Sequence, residues 1–212
     1  MENQLAAGCV IMASGLSRRF GSNKLLAPFC GQPMLCRAFV ATDTQALAAR
    51  IVVTRSAQVQ ALCKAQGVPV LLHALPGRND TVRLGLSALL AQHPELTGCM
   101  FLPGDQPLLR RATVDQLLTA FAQTQKETER VIFRLGAPAG NGPDPLVGSP
   151  VLFSNGFFPE LLTLPEGKGG SVLLHKYPTL VHTACIAQPE ELADTDTPAA
   201  LAQLEALVRE KG

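Results

Sequence analysis

The chain has 212 residues, of which 47% are hydrophobic and 17% charged, and its formal net charge is +1. This length and composition predict one soluble globular domain over residues 1–212 and exclude an intrinsically disordered chain. No stretch concentrates lysine and arginine into the basic stripe that a nucleic-acid backbone requires. The partners expected on this basis are small phosphorylated molecules rather than nucleic acid.

The N-terminal residues and the cysteines indicate the cellular compartment in which the protein is expected. The first residues carry no basic segment, and the apolar run over residues 5–13 is interrupted by Gly8, so no signal peptide is expected. No window approaches the roughly 20 uninterrupted apolar residues of a membrane span. The six cysteines form no C-x-x-C pair and the four histidines do not cluster, which argues against a zinc or iron–sulfur site. We expect free, buried thiols and a cytoplasmic protein.

Short apolar runs alternate along the chain with longer segments of helical period, which is typical of parallel strands joined by crossover helices. The predicted strands are 9–13, 51–54, 68–72, 99–102, 131–135, 151–153 and 180–183. The predicted helices are 34–48, 57–66, 81–92, 113–124 and 199–210. The fold class predicted is α/β, with three α/β/α layers and a mostly parallel, Rossmann-like sheet.

The segment from Gly136 to Pro150 contains four glycines and four prolines in fifteen residues, too many for a helix or a central strand. We predict a long loop there. Loops of this length inside a compact domain usually bind a ligand or form a lid.

The first predicted strand runs into a segment of small residues, backbone donors and cations, residues 12–24, here called the first loop. Gly15 and Gly21 allow close backbone approach, the amides can form an anion-binding nest, and Arg19 and Lys24 supply positive charge. This composition suits a triphosphate.

Two common phosphate-binding loops do not fit the first loop. A Walker loop has four residues between its glycines and Ser or Thr after its lysine, whereas five residues separate Gly15 from Gly21 and Leu25 follows Lys24. A Rossmann dinucleotide site requires G-x-G-x-x-G and an acidic residue after the second strand, where Thr54-Arg55 stands instead. P-loop enzymes and dehydrogenases are therefore disfavoured.

The first loop resembles the signature L-A-A-G-x-S-x-R-M-G-x-x-K of the MobA-like nucleotidyltransferase superfamily, with matches at Ala13, Gly15, Ser17, Arg19, Gly21 and Lys24. The resemblance implies the fold of nucleotide-diphospho-sugar transferases and a loop, including Ser14, that grips the triphosphate. It also implies that Arg19 and Lys24 neutralise charge on the departing pyrophosphate. Physical reasoning agrees, because such transfers are catalysed mainly by positioning and charge stabilisation.

Two positions depart from the signature: Ser14 stands where the family has Ala or Gly, and Phe20 replaces Met. In molybdenum cofactor enzymes of the family, Ala or Gly at the first position accompanies use of cytidine or guanine, respectively. Ser14 leaves the nucleobase open, and its small size favours cytidine.

A second motif is an apolar strand that ends in Gly104-Asp105-Gln106-Pro107. Ligands of open α/β sheets bind beyond the carboxyl ends of the strands, so Asp105 should face the same crevice as the first loop. A carboxylate there suits Mg²⁺, which prefers one or two carboxylates plus substrate phosphates. The segment resembles the metal-binding G-D-Q-P element of the family, which implies that Asp105 binds the metal.

Weaker resemblances extend the candidate site. Residues 75–86 resemble the base-binding segment of related cytidylyltransferases, which implies nucleotide contacts by Asn79 and Thr81, although Asp80-Thr81 equally fits a helix cap. Segments 148–153 and 167–171 resemble elements of the acceptor side, which implies acceptor contacts by Gly148, Lys168 and Gly169. Residues 193–198 match a D-I-D-T-P element, in which Asp194 or Asp196 binds metal or only caps the last helix.

Together these features predict a Mg²⁺-dependent enzyme that moves a nucleoside monophosphate, most simply CMP from CTP, onto the molybdopterin form of the molybdenum cofactor. The alternatives are a sugar-phosphate or methylerythritol-phosphate cytidylyltransferase, and a non-catalytic chaperone for the molybdenum cofactor. A nucleotide-sugar glycosyltransferase would have a D-x-D motif after a mid-chain strand, but the D-x-D here is Asp194-Thr195-Asp196. The oligomeric state and the existence of a molybdoenzyme partner stay open.

Overall fold

A computed structural model describes residues 6–138 and 145–211. The strands are β1 Ala7–Ala13, β2 Pro28–Phe29, β3 Gln32–Pro33, β4 Leu47–Thr54, β5 Val70–Leu72, β6 Gly98–Pro103, β7 Ile132–Ala137, β8 Leu146–Ser154 and β9 Val181–Cys185. The α-helices are α1 Leu35–Ala41, α2 Ala57–Ala65, α3 Arg78–Gln92, α4 Arg111–Gln125, α5 Phe158–Leu162, α6 Ser171–Lys176 and α7 Pro198–Lys211. Short 3₁₀ turns occupy Lys24–Leu26, Asn155–Phe157, Pro178–Leu180 and Pro189–Leu192.

Seven strands form the central sheet in the order β5-β4-β1-β6-β8-β7-β9. Strands β5, β4, β1 and β6 pair in parallel, β7 pairs in parallel with β9, and β8 runs antiparallel to both of its neighbours. The remaining strands, β2 and β3, form a separate two-residue ladder. The sheet is therefore mostly parallel, which confirms the predicted α/β class, and its parallel strands end at one edge.

Helices cover both faces of the sheet. One core contains Ile11 of β1 together with Phe39 of α1, Leu117 of α4 and Leu201 of α7. The other contains Val10 of β1 together with Leu86 of α3. Because consecutive strand residues are buried on opposite faces, the central strands read as continuous apolar runs. This explains why they were predictable from the sequence. No helix within residues 6–138 and 145–211 is long and apolar enough to cross a membrane.

The helix predicted over residues 34–48 is shorter, because α1 ends at Ala41. The Thr42 hydroxyl donates to the Ala38 carbonyl at 2.8 Å at this end. The following alanine-rich residues from Leu47 onward belong to β4, where Leu47 pairs with Ala7. Pairing with β1 thus overrides the helix propensity of this segment.

The long loop predicted from Gly136 to Pro150 is wrong at both ends. Gly136 pairs with Val147 in the β7–β8 ladder, and β8 continues through Pro150. The register shifts there: Arg134 pairs with Val151, and the next residue, Leu135, pairs with Gly148. Ser149 and Pro150 therefore form a bulge, where a proline without an N–H is tolerated. Residues 139–144 of the predicted loop lie outside the described residues.

All six cysteines are free thiols. Cys9, Cys36, Cys63 and Cys99 are buried, as expected, whereas Cys30 and Cys185 are exposed. Burial raises the pKa of Cys63 to about 11, so this thiol is not a nucleophile at neutral pH. Packing is therefore the role that we assign to the buried thiols.

An ionic cluster joins the start of β7 to α5 and α6. The guanidinium of Arg130 lies 4.2 Å from the ring centroid of Phe157 and 2.5 Å from the carboxylate of Glu160. Glu160 also accepts from Lys176 at 2.8 Å and from the hydroxyl of Tyr177 at 3.1 Å. Hydrogen bonds from Lys176, Arg130 and Tyr177 hold the pKa of Glu160 below its usual range, although burial opposes this.

Replacing Glu160 with Gln is expected to lower the melting temperature at pH 7 by about 2–4 °C, which corresponds to about 1 kcal/mol in a chain of this size. The effect is modest because the cluster is partly open to solvent. A carboxyl whose pKa is lowered by folding stabilises the protein above the unfolded-state pKa, and this stability is lost as the pH falls through the folded-state pKa. The difference in melting temperature between the wild-type protein and Glu160→Gln should therefore shrink as the pH falls from 7 through the folded-state pKa of Glu160. An equal difference at pH 7 and in acid would contradict the assignment.

Candidate active site

The first loop leaves β1 at Ala13 and folds back on itself. Ser17 and Gly21 adopt left-handed conformations, with φ of 49° and 78°. The Ser17 hydroxyl accepts from the Lys24 amide at 3.2 Å, and the Asn23 side chain caps the 3₁₀ turn that Lys24 begins. The backbone of Lys24 is therefore held by its own loop, at the carboxyl edge of the sheet.

Asp105 reaches the same edge from the neighbouring strand β6. The Gly104 amide donates to the Met12 carbonyl at 3.0 Å, which extends the pairing of β6 with β1 by one residue. A Cβ at Gly104 would lie 2.8 Å from Leu35, so the backbone approaches α1 more closely than a larger residue would allow. Asp105 thus follows a tightly packed turn directly beside the first loop.

Four charged side chains meet here. The Lys24 ammonium donates to the carboxylates of Asp105 and Asp196, the latter at 2.8 Å. Arg19 pairs with the other oxygen of Asp196 at 2.5 Å. Lys24 and Asp105 are mostly buried, with side-chain exposures of 12% and 16%, whereas Arg19 is 72% exposed. The structure therefore brings together residues from the first loop, from the end of β6 and from the C-terminal segment.

The charges in this cluster stabilise one another. Burial by itself lowers the pKa of Lys24, but hydrogen bonds to Asp105 and Asp196 raise it above the usual lysine value. The hydrogen bond from Lys24 holds the pKa of Asp196 below its usual range. Lys24 is therefore cationic and Asp196 anionic at neutral pH.

Residues 192–197, here called the C-terminal segment, run along the Asp105 turn. The backbone amide of Thr195 donates to the Asp105 carbonyl at 3.0 Å, and the side-chain amide of the buried Gln106 donates to the Leu192 carbonyl at 3.4 Å. Desolvation and the nearby charge of Asp105 raise the pKa of Asp194 to about 6. Asp194 and Asp196 therefore both lie near Asp105, but Asp196 is the one that shares a cation with it.

The donor set at this point fits a divalent cation of the Mg²⁺ type. Asp105 and Asp196 both accept from the Lys24 ammonium, so their carboxylates face a common point, where a divalent cation would find two carboxylate ligands. Within residues 6–138 and 145–211, no three His, Cys, Asp or Glu side chains are grouped closely enough to hold a metal by themselves. Such a metal would therefore take its other ligands from water and substrate phosphates, as Mg²⁺ commonly does.

A cleft of about 180 Å³ opens beside the cluster, lined by residues 13–17 of the first loop and by Asn23, Arg55 and Ser56. Arg55 donates twice to the Ser14 carbonyl, at 2.9 and 2.5 Å. The Ser14 hydroxyl donates to the Val53 carbonyl at 3.1 Å and lies 3.0 Å from Nε2 of His73. Since that hydroxyl has one proton, His73 is the donor in the second contact.

Sequence reasoning missed Arg55 and His73. Each comes directly after a strand, β4 or β5, whose carboxyl end lies at the edge that carries the first loop. That position was the available signal. Burial and the charge of Arg55 lower the pKa of His73, so a neutral imidazole is expected at pH 7.

The base-binding segment proposed from the sequence lies at the start of α3, which begins at Arg78 rather than at Thr81. Asp80 accepts from the Gly77 amide at 2.9 Å and pairs with Arg83, so it caps the helix. Thr81 is buried in the first turn, with 4% exposure. The side chain of Asn79 accepts from the Gly167 amide at 3.2 Å and so links α3 to the proposed acceptor loop.

The proposed acceptor residues border two parts of the edge. Gly148 lies in β8 beside Leu192 of the C-terminal segment, where an added Cβ would lie 3.5 Å from the leucine. Lys168 is exposed and Gly169 half-buried, in the turn that follows Gly167. The structure therefore puts Gly148 beside the C-terminal segment and the Lys168 turn near α3. Their contacts with an acceptor stay a prediction.

With this geometry in place, the chain can be compared with known proteins. The family described as the MobA-like NTP transferase domain matches residues 9–190. The chain belongs to this family. It is accordingly a MobA-like nucleotidyltransferase, as its first loop indicated. The match covers Lys24 and Asp105 but ends before Glu191. The placement of Asp194 and Asp196 at the site therefore rests on the structure and on the Asp-Thr-Asp-Thr-Pro motif, not on the family match.

Curated relatives of this MobA-like chain include the bifunctional protein GlmU of Thermobifida fusca (strain YX). It is 31% identical over 150 residues, which cover 67% of this chain and 31% of GlmU. GlmU of Clavibacter sepedonicus is 32% identical over 144 residues, which cover 63% of this chain and 28% of that protein. The chain thus spans about a third of the length of the curated relatives that it matches.

Solved structures with the same fold cover nearly the whole chain. Rv0371c from Mycobacterium tuberculosis H37Rv superposes with a TM-score of 0.77 at 24% identity, over 95% of this chain and 98% of that one. Its complex with manganese gives 0.73 at 22% identity, with the same coverage. CMP:2-keto-3-deoxy-manno-octonic acid synthetase complexed with CTP gives 0.76 at 18% identity, over 98% and 100%. At these identities the likeness establishes the fold.

Proposed function

We propose that this MobA-like enzyme transfers a nucleoside monophosphate, CMP from CTP, onto the phosphate of the molybdenum cofactor and releases pyrophosphate. One observation carries the chemistry: Lys24, Asp105, Asp196 and Arg19 form a single charged cluster beside the first loop. An anionic substrate needs cations, and a metal bound to that substrate needs carboxylates. The cluster supplies both at one edge of the sheet.

Each group has a role in this proposal. The backbone amides of the first loop and the side chains of Lys24 and Arg19 bind the triphosphate, with Ser17 and Gly21 shaping the loop. Asp105 and Asp196 would hold the divalent metal, which when bound neutralises phosphate charge. An acceptor phosphate oxygen attacks the α-phosphorus in line, and Lys24 and Arg19 stabilise the charge that develops on the leaving pyrophosphate.

CTP is favoured as the donor by two observations. Ser14 lines the cleft and is small, like the alanine that accompanies cytidine use in the family, and its hydroxyl is held by Val53 and His73. A solved structure of the same fold is a CTP complex. Asn79 of α3 would add a contact with the nucleotide, whereas Thr81, at 4% exposure, has little surface to offer one. Guanine stays the principal alternative because the family also uses it.

The acceptor is the less constrained half of the proposal. The molybdenum cofactor follows from the resemblance of the whole motif set, with Gly148, Lys168 and Gly169 as acceptor contacts and a molybdoenzyme as the eventual recipient. The second candidate is transfer to a sugar-type phosphate or acid, which the fold of a CMP-octonic acid synthetase supports. A cytoplasmic location is part of the proposal, because free thiols are typical of a reducing compartment.

The proposal is tested by pyrophosphate release from CTP, GTP, ATP and UTP with Mg²⁺, with and without molybdopterin that carries molybdenum. We expect release from CTP that depends on the cofactor and is at least tenfold faster than with the other triphosphates. Release that depends instead on a sugar phosphate, on methylerythritol phosphate or on a sugar acid would identify the second candidate. Tight binding of the cofactor without turnover of any triphosphate would favour the chaperone.

A further inference from the structure

The carboxylate of Glu191 is deeply buried next to the C-terminal segment. Its side chain is 1% exposed and lies in the 3₁₀ turn Pro189–Leu192. A buried charge is costly unless its hydrogen-bonding capacity is filled. Glu191 takes no part in the hydrogen bonds that join Lys24 to Asp105 and Asp196. The proposed reaction therefore gives it no direct role.

Four donors at the start of α4 fill the capacity of Glu191. Oε1 accepts from the guanidinium of Arg110 at 2.8 and 2.6 Å. Oε2 accepts from the Arg110 amide at 3.1 Å and from the buried Thr113 hydroxyl at 2.6 Å. Since Arg110 is the N-cap of α4, the carboxylate also lies at the positive end of the helix. About eighty residues separate the partners in sequence, so this contact joins two distant parts of the chain.

Glu191 is placed at one end of the segment that delivers Asp196 to the cluster. After Glu191, the Leu192 carbonyl accepts from Gln106 at 3.4 Å and the Thr195 amide donates to the Asp105 carbonyl at 3.0 Å. Asp196 then meets Lys24 at 2.8 Å. Helix α7 starts two residues later and is buried at Leu201 and Leu204. The chain that carries Asp196 is thus held on one side by α7 and on the other by Glu191 together with the hydrogen bonds of Leu192 and Thr195.

We propose that Glu191 is a positioning residue that holds Asp196 beside Asp105 and thereby sets the affinity of the enzyme for its divalent metal. This rests on the proposed function, in which Asp196 is a metal ligand. When Glu191 is neutralised, the carboxylate bridge to Arg110 and Thr113 weakens and the C-terminal segment gains freedom. Binding of the metal then carries an added entropic cost, because Asp196 is no longer preorganised and must be ordered when it binds the ion.

The test compares metal affinity with stability in matched variants. Mn²⁺ is titrated into the protein, first alone and then with CTP and no acceptor, and the bound ion is followed by water proton relaxation. We expect Glu191→Gln to weaken Mn²⁺ binding about tenfold. Glu160→Gln also removes the charge of a carboxylate paired with arginine, but at the opposite end of the sheet, and should leave Mn²⁺ affinity unchanged. Unchanged affinity in a destabilised Glu191→Gln would overturn the proposal.

A double-mutant cycle with Asp196→Asn shows whether Glu191 acts through Asp196. Asp196→Asn alone should weaken Mn²⁺ binding, and adding Glu191→Gln to it should weaken binding by less than twofold more. Two independent, fully additive losses would contradict the proposal while leaving the metal assignment intact. No effect of Asp196→Asn, or no Mn²⁺ binding under either condition, would overturn the metal assignment and the role of Glu191 together.

Thr113→Val provides a milder variant in case Glu191→Gln does not fold. It keeps the shape of a side chain that is 2% exposed and removes one of the four hydrogen bonds to Glu191. We expect a two- to threefold loss of Mn²⁺ affinity, and this loss should also disappear in the Asp196→Asn background. A Thr113→Val protein with wild-type affinity despite a lowered melting temperature would contradict the proposal in the same way.

Discussion

Replacing Asp105 with Asn is expected to lower turnover by about 10³-fold or more, on the scale found when one preorganised charge-stabilising group is removed from an active site. The variant keeps the size of the side chain and the backbone carbonyl that accepts from Thr195. It loses the charge that pairs with Lys24 and that would bind the metal. Pyrophosphate release with the active triphosphate measures the loss, and a thermal melt checks that the variant is folded.

Asp43→Asn is the matched control for this experiment. Asp43 pairs with Arg50 at 3.1 Å, but it is 72% exposed and lies outside the charged cluster. Turnover of Asp43→Asn should stay within about twofold of the wild-type enzyme, as expected for an exposed ion pair. Normal turnover of Asp105→Asn with a normal melt would remove Asp105 from the reaction and with it the proposed metal site.

Replacing Lys24 with Met is expected to lower kcat by about 10²–10³-fold, because the ammonium is one of the preorganised charges at the leaving pyrophosphate. Methionine fills much the same volume without the charge. The backbone of the first loop should persist, since the Lys24 amide, not its side chain, bonds to Ser17. Steady-state kinetics with the triphosphate varied would show whether the loss is in kcat, as expected for charge stabilisation in the transition state, or only in KM.

Two further variants sharpen the assignment of Lys24. Lys64→Met removes an exposed lysine from the last turn of α2 and should have no effect on turnover. Lys24→Arg keeps the charge but carries it on a planar group, so partial activity is expected. A loss of the same size in Lys24→Met and Lys64→Met, or a change confined to KM, would contradict a role of Lys24 at the transition state.

The elements that were predicted well are those whose signal is local. β1 and β6 are buried on both faces and therefore appear as apolar runs, and α4 and α7 show a clear helical period. The first loop and the Asp105 turn follow such strands directly. Their location at one edge of the sheet follows from the rule that parallel strands end together, which needs no tertiary information beyond the fold class.

The elements that were predicted poorly depend on contacts between distant residues. The alanine-rich start of β4 has a helical composition and becomes a strand because it pairs with β1. β8 contains Gly148 and Pro150, and it becomes a strand because β6 and β7 lie on either side of it and a bulge accommodates the proline. The intrinsic strand propensity of a segment does not depend on these distant pairing partners and cannot predict them.

The same division applies to the site. By itself, the sequence determined the family, the α/β class, and the candidacy of Arg19, Lys24 and Asp105, because each lies in a short motif whose chemistry is local. It left open whether Asp194 or Asp196 joins them, and it gave no role to Arg55, His73 or Glu191. The tertiary structure decided that Asp196 shares Lys24 with Asp105 and that Arg55 and His73 hold Ser14. Only folding brings these groups together, since their hydrogen bonds join parts of the chain 41–172 residues apart.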